Sequence, residues 1–267
     1  MLIGCTRMYN ATPVIADLWR QLLGRAAERA GVGLDVIDYP APAPLSGLWS
    51  REDMGAVFMC GWPYRRQETR PQIVAAPVPV ARFCSGPNYC SVMVVAADAP
   101  FATLQDTFGY RIAWTDPGSH SGFNAPRRML LDHRQDAPLY AESVGPLITP
   151  RASITSVIDG RADIAPVDSL FFQLLERHEP ETVAKVRIVA QTDCAPIPVL
   201  VAAPGAPVDQ VAALGRALED SANDPQSVPP LQELCLDGFE RVADPERYAL
   251  TERWDSEARA AGYDLPL

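Results

Sequence analysis

Ser119-His120-Ser121-Gly122-Phe123-Asn124-Ala125-Pro126 follows Arg111-Ile112-Ala113-Trp114, which reads as a strand, and it opens what reads as a helix. A strand, a tight turn and a helix in succession form the repeating unit of layered α/β folds. At a helix start the first N–H groups have no intrahelical partner, and the dipole end is positive. A small tetrahedral anion can be held there by backbone donors alone. Ser119 and Ser121 would add hydroxyl donors, and Gly122 would let an oxyanion approach the backbone. Pro126 lacks an N–H and is expected to isolate or distort the first turn. The same residues also fit an ordinary capped helix, because serine is a favoured N-cap. The motif alone leaves both readings open.

Outward from this turn, strands and helices alternate along the chain. Thr12-Pro13 reads as an N-cap with a first-turn proline, and Val14, Ile15, Leu18, Leu22 and Leu23 mark the apolar face of a helix ending at Gly31. Leu34–Ile37 and Ala56–Met59 read as strands, the second buried on both faces. Ile73–Ala76 is a further strand, which Pro77 and Pro79 restrict to an edge or irregular position. Cys90 to Ala97 is a longer apolar run. Strands are then predicted near Tyr110–Trp114, Leu139–Ser143, Asp163–Ala165, Val186–Ala190 and Pro196–Val201. Thr149-Pro150 is a second cap-and-proline pair, Ser169–His178 a helix, and Val208 to Leu218 and Tyr248 to Ala261 the last two helices.

Composition narrows the class. The 267 residues are 48% hydrophobic and 21% charged, with a formal charge of -10, an ordinary globular balance that disfavours nucleic acid or an anionic membrane as partner. Net charge does not disfavour an anionic ligand, since its field is screened beyond about 10 Å. No run approaches the ~20 apolar residues of a membrane span. No basic, then apolar, leader precedes the first strand, Leu2–Cys5. The expected compartment is therefore the periplasm if a leader has been removed, and otherwise the cytoplasm. Six cysteines show neither C-x-x-C nor zinc spacing. They are expected to be reduced and buried, with Cys84–Cys90 as the conceivable bridge in an exported chain.

Several blocks occur in a telling order: Met8-Tyr9-Asn10, Met59-Cys60-Gly61-Trp62-Pro63, Tyr89-Cys90-Ser91-Val92-Met93-Val94-Val95, the serine-glycine turn, Arg151-Ala152-Ser153-Ile154, and Gly160-Arg161-Ala162-Asp163 running on to Val167-Asp168-Ser169. This order and spacing resemble the phosphate/phosphite/phosphonate substrate-binding proteins of ABC transporters. The resemblance covers nearly the whole chain. It implies an α/β, type II periplasmic-binding-protein-like fold of two lobes with a ligand cleft between them. Lobe I would comprise residues 1–97 and 196–267, and lobe II residues 98–195. It also implies capture of a small oxyanion or phosphonate-like ligand, an ABC permease as partner, and no cofactor or metal.

By family position, Ser119, His120, Ser121 and Gly122 would hold the anion, and Asp168 would read a proton or an amine on the ligand. Asp168 could equally cap the helix after it. Tyr9 and Tyr89 would line the cleft, though a lone tyrosine also fits a core. Gly61 and Trp62 would give a floor of backbone donors and an aromatic wall, or with Pro63 a plain turn. Where many relatives carry Gly-Ser-His, this chain has Ile148-Thr149-Pro150, so Thr149 is left as the donor there. His120 would make binding pH-dependent, or else is an exposed loop histidine. The alternative function is a cytoplasmic enzyme of lyase or hydrolase type, with Cys60 as nucleophile and His120 as base, or a ligand sensor on the same fold.

Overall fold

Thr12 accepts the Ile15 N–H at 3.1 Å, Pro13 takes the first helical position, and Gly31 closes the helix at φ 65°, so α1 runs Pro13–Ala30 as its end signals require. Only a residue tolerant of positive φ ends a helix in this way cheaply. The structure, a computed structural model, describes residues 1–134 and 137–264. The chain divides into two compact units, residues 1–88 with 196–248, and 89–195 with 249–267. These bounds differ from the expected lobes at two places. The apolar run beginning at Cys90 lies wholly in the second unit, and so does the last helix, which sequence order had assigned to the first.

The first unit is built on β1 (Leu2–Cys5), β2 (Leu34–Val36), β3 (Met54–Met59), β4 (Gln72–Pro79), β12 (Val199–Ala202) and β13 (Leu236–Glu240). Their order is β13-β4-β12-β3-β1-β2, with β1 parallel to β2 and β3, and β12 and β13 joined antiparallel. Besides α1 it holds α2 (Leu45–Trp49), α3 (Gly61–Arg65), α8 (Val208–Glu219) and α9 (Val228–Glu233). Trp19 of α1 anchors the core, its ring edge-on to Phe58 at 5.1 Å. Of the two positions its prolines allowed, edge or irregular, β4 takes the second: it is an inner strand whose register shifts in both of its ladders. Its first half, Gln72 to Ala75, pairs with β12, whereas Ala76 to Pro79 pairs with β13. Each proline therefore faces one ladder, and the missing N–H breaks no bond on the other side.

The chain passes between units at β5 (Asn88–Tyr89), β11 (Ala195–Pro196) and after Tyr248. The second unit carries β6 (Ser91–Ala96), β7 (Arg111–Ala113), β8 (Glu142–Val144), β9 (Ile164–Asp168) and β10 (Val186–Gln191) in the order β10-β6-β9-β7-β8. β7 runs parallel to β8 and β9, and β6 antiparallel to β9 and β10. Its helices are α4 (Ala125–Leu131), α5 (Pro150–Ile158), α6 (Ser169–His178), α7 (Pro180–Val183) and α10 (Ala249–Ala260). Met93, Val95, Ile112, Leu130 and Ile164 form its apolar centre. Asp163 accepts the Arg111 N–H at 2.9 Å and its Nε at 2.8 Å, which sets β7 against β9. The aspartate of the Gly160-Arg161-Ala162-Asp163 block thus serves the sheet.

Cysteine chemistry departs from expectation. Cys84 and Cys194 are disulfide-bonded, whereas Cys5, Cys60, Cys90 and Cys235 are thiols. Cys90 is therefore not the partner of Cys84, and burial pushes its thiol up to about 11.

Candidate functional site

The turn after β7 owes its shape to Pro126. A regular helix would direct an N–H from position 126 back to the carbonyls of the preceding turn, and proline has none. The Gly122 carbonyl instead accepts the Thr115 N–H at 3.2 Å, and the Ser121 carbonyl accepts the Ser91 hydroxyl at 2.7 Å. His120–Asn124 widens into a π-type turn, with the Asn124 N–H donating to the Ser119 carbonyl at 3.1 Å. Insertions of this kind recur at functional sites. The turn is thereby tied to the end of β7 and the start of β6.

Ser119 caps the turn, its Oγ accepting the Gly122 N–H at 3.0 Å, so its own hydroxyl proton remains available. Ser121 is 6% exposed, and its hydroxyl makes no hydrogen bond among the described residues. Gly122 has a different task from the one expected. A Cβ there would lie 2.0 Å from Thr115 Oγ1, so the glycine admits the chain's own Thr115 rather than a ligand. Thr115 Oγ1 is buried with no hydrogen-bond partner among the described residues.

His120 is 1% exposed, which removes the exposed-loop reading. Burial lowers its pKa to about 3, so the ring is neutral from acid to alkaline pH and does not supply the expected pH dependence of binding. So low a pKa makes the ring a poor base for a thiol near neutrality. The ring lies stacked on Trp254 of α10 at 5.4 Å and 6.0 Å from the ring of Tyr89. Its Nε2 is buried and has no hydrogen-bond partner among the described residues.

Asp168 is the last residue of β9, not the residue after a shorter strand. It is 5% exposed and caps α6, Oδ1 accepting the N–H groups of Leu170 at 2.9 Å and Phe171 at 3.1 Å. Opposite it in the ladder stands Ser91, the same residue that holds Ser121. The Ser91 N–H in turn donates to Thr192 Oγ1 at 2.9 Å. Thr149 caps α5 through Ala152 N–H at 3.1 Å. Topology gathers these residues. The serine turn, Thr149 and Asp168 lie at or beyond the carboxyl ends of parallel β7, β8 and β9, and Tyr89 and Ser91 lie at the amino end of antiparallel β6. All stand at one edge of one sheet, where α/β folds present ligands.

In the first unit, Tyr9 and the pair Gly61-Trp62 follow the carboxyl ends of the adjacent parallel strands β1 and β3. Tyr9 is buried with its ring edge-on to Phe58 at 5.0 Å. Gly61 and Trp62 open the one-turn α3, whose preceding residue, Cys60, gives no side-chain cap. Trp62 is buried under the Arg66 guanidinium, 5.2 Å from its ring. Sequence reasoning missed Ser91, Thr115, Asn124, Thr251 and Trp254. Ser91 lies inside the quoted Tyr89 block and was readable as a polar residue opening an apolar strand. The pair on α10 had no local signal. Among the described residues no cluster of histidine, cysteine and carboxylate could hold a metal, and no helix is long and apolar enough to cross a membrane.

The family described as "ABC transporter, phosphonate, periplasmic substrate-binding protein" matches residues 52–248. No curated protein matches the sequence. Among solved structures, a binding protein component of an ABC phosphonate transporter from Pseudomonas aeruginosa superposes with TM-score 0.78 at 15% identity, over 98% of this chain and 92% of that one. PhnD1 from Prochlorococcus marinus, in complex with methylphosphonate, gives TM-score 0.78 at 13% identity, over 98% of both chains. A protein from Xanthomonas citri bound to ATP gives TM-score 0.62 at 19% identity, over 98% of both. At these identities the likeness is one of fold, the two-lobed α/β fold of periplasmic binding proteins.

Proposed function

The chain belongs to the phosphonate periplasmic substrate-binding proteins of ABC transporters, and on that premise we propose that it captures a small phosphonate or related oxyanion on the Ser119–Gly122 turn for an ABC permease. The observation that carries this reading is the convergence of uncommitted donors at one sheet edge. The Ser119 hydroxyl proton, the Ser121 hydroxyl, the first N–H groups of the turn and the Nε2 of a neutral His120 lie within three consecutive residues. Neutral oriented donors around a desolvated anion bind strongly without an ion pair, because the acceptor carries the charge. Asp168 keeps its proposed role as the group that reads a proton or ammonium on the ligand, alongside its capping of α6. Tyr89, beside His120, flanks the anion, and Thr149 stands at the same edge. Tyr9, Gly61 and Trp62 are the candidate ligand residues of the first unit, at the carboxyl ends of β1 and β3.

The half-cystines Cys84 and Cys194 support residence in the periplasm, because structural disulfides persist in oxidising compartments. Titration of the denatured, unreduced protein with a thiol reagent is expected to find four thiols, and six after reduction. Six without reduction would remove this support.

Thermal-shift titration against methylphosphonate, 2-aminoethylphosphonate, phosphite, phosphate, sulfate and small carboxylates tests the ligand class. A ligand at about 100 times its Kd adds about 2.7 kcal/mol, a rise of several degrees. A shift with a phosphorus oxyanion and none with carboxylates is expected. A carboxylate-only response would overturn the proposal.

A further inference from the structure

The proton on His120 is placed by a chain of groups that ends on the last helix. The Thr251 carbonyl can only accept, so the Asn124 amide must turn its NH2 towards it, at 2.8 Å. Arg127 Nη2, which can only donate, lies 3.5 Å from Asn124 Oδ1 and agrees with that orientation. The same NH2 stands 3.0 Å from His120 Nδ1. Nδ1 must therefore present its lone pair, and the single proton of a neutral ring sits on Nε2. Trp254 holds the ring plane from behind, stacked with an interplanar angle of 18°. Arg127, itself buried, fastens α10 through Asp255 at 2.5 Å and reaches the Tyr263 carbonyl at 3.1 Å. What remains at the front is an N–H that no described residue accepts.

We propose that Asn124, Thr251 and Trp254 are positioning residues that lock His120 as a donor-only imidazole, so that the ligand atom it meets must be an acceptor, for which an unprotonated oxygen is the strongest. This specificity rests on the anion-turn reading; the lock itself does not. A lone pair at Nε2 would repel an unprotonated phosphonate oxygen and require a P–OH, so the tautomer favours an unprotonated head-group oxygen at this position. The C-terminal helix thereby belongs to the ligand apparatus of its unit, although it lies far from the serine motif in sequence.

The test uses the full chain labelled with 15N-histidine. In the ligand-free protein, long-range proton–nitrogen correlation is expected to show His120 with a bare Nδ1 and a protonated Nε2. Asn124→Leu is expected to mix the two tautomers. Calorimetry with methylphosphonate then compares His120→Gln, whose amide nitrogen mimics Nε2, with His120→Asn, whose amide nitrogen mimics Nδ1. His120→Asn should lose at least tenfold in affinity, and His120→Gln should recover most of that loss. A protonated Nδ1 in the wild type overturns the lock, whatever binds. Equal losses in the two variants overturn the donor role. Should either variant fail to fold, the wild-type spectrum with and without methylphosphonate decides. The Nε2 proton resonance must move on binding, and a fixed resonance refutes the contact. If Ser119→Ala/Ser121→Ala leaves affinity unchanged while Nε2 is protonated, the anion turn fails and the tautomer lock stands.

Discussion

The two sheets place candidate residues at equivalent positions, beyond the carboxyl ends of parallel strands, yet finish those positions with opposite chemistry. In the first unit the edge is closed by rings. Tyr9 packs on Phe58, and Trp62 lies buried under Arg66. In the second unit the edge retains buried polar atoms that no described residue satisfies, at Thr115 and His120. A buried donor without a partner costs about 1–3 kcal/mol, which is why the proposed ligand is placed at this edge. Common topology sets where a ligand can be presented. On the proposed reading, the side chains decide which edge holds the charge.

The contrast breaks most readily by removing a ring. Trp62→Ala is expected to destabilise the protein by about 3–5 kcal/mol through lost burial and a cavity, read as a fall in Tm of about 10 °C. A change under 2 °C would show that Trp62 is not part of a packed edge. Overfilling the second unit should cost less. Gly122→Ala drives a methyl into Thr115 Oγ1 and is expected to cost about 1–3 kcal/mol. Adding Thr115→Gly, which removes all the side-chain atoms in the way, should restore part of that loss, and strictly additive penalties in the double-mutant cycle would dissolve the contact.

Acid sharpens the comparison further. His120 has its pKa lowered to about 3 from an ordinary 6.5, so between these values the unfolded chain holds the extra proton. Stability attributable to this group is fully present above about pH 6.5 and falls on acidification by about 1.4 kcal/mol per pH unit. Tm measured from pH 7.5 to 4.5 should show this slope in the wild type and a shallower one in His120→Gln. Identical slopes would mean that the imidazole is not buried neutral.

Much of this was legible locally. Thr12 with Pro13 and Gly31 bounded α1, Thr149 with Pro150 opened α5, and Ser169–His178 formed the expected helix after Asp168. Helix ends are written in the residues that satisfy their own N–H and C=O groups, which is why these readings held. Strand position was less legible. The prolines of β4 constrain one ladder at a time, and a sequence does not say that two neighbours share a strand by halves. The serine turn was legible as a motif, but its supports were not. Pro126 forecast a distorted turn; that Ser91 and Thr115 take up the released carbonyls depends on which strands meet. The packing of His120 depends on Trp254, and the orientation of its partner Asn124 on Thr251, both on a helix that reads in the sequence as ordinary and amphipathic.

The most direct measurement is calorimetric titration of methylphosphonate into the wild type and Ser119→Ala/Ser121→Ala, with Tm recorded for both. Ser119 is also a cap, so the double variant should lose about 1 kcal/mol of stability, a few degrees in Tm. Its affinity should fall by more than tenfold. Binding of methylphosphonate with equal affinity by both proteins would contradict the assignment of the turn as the anion site.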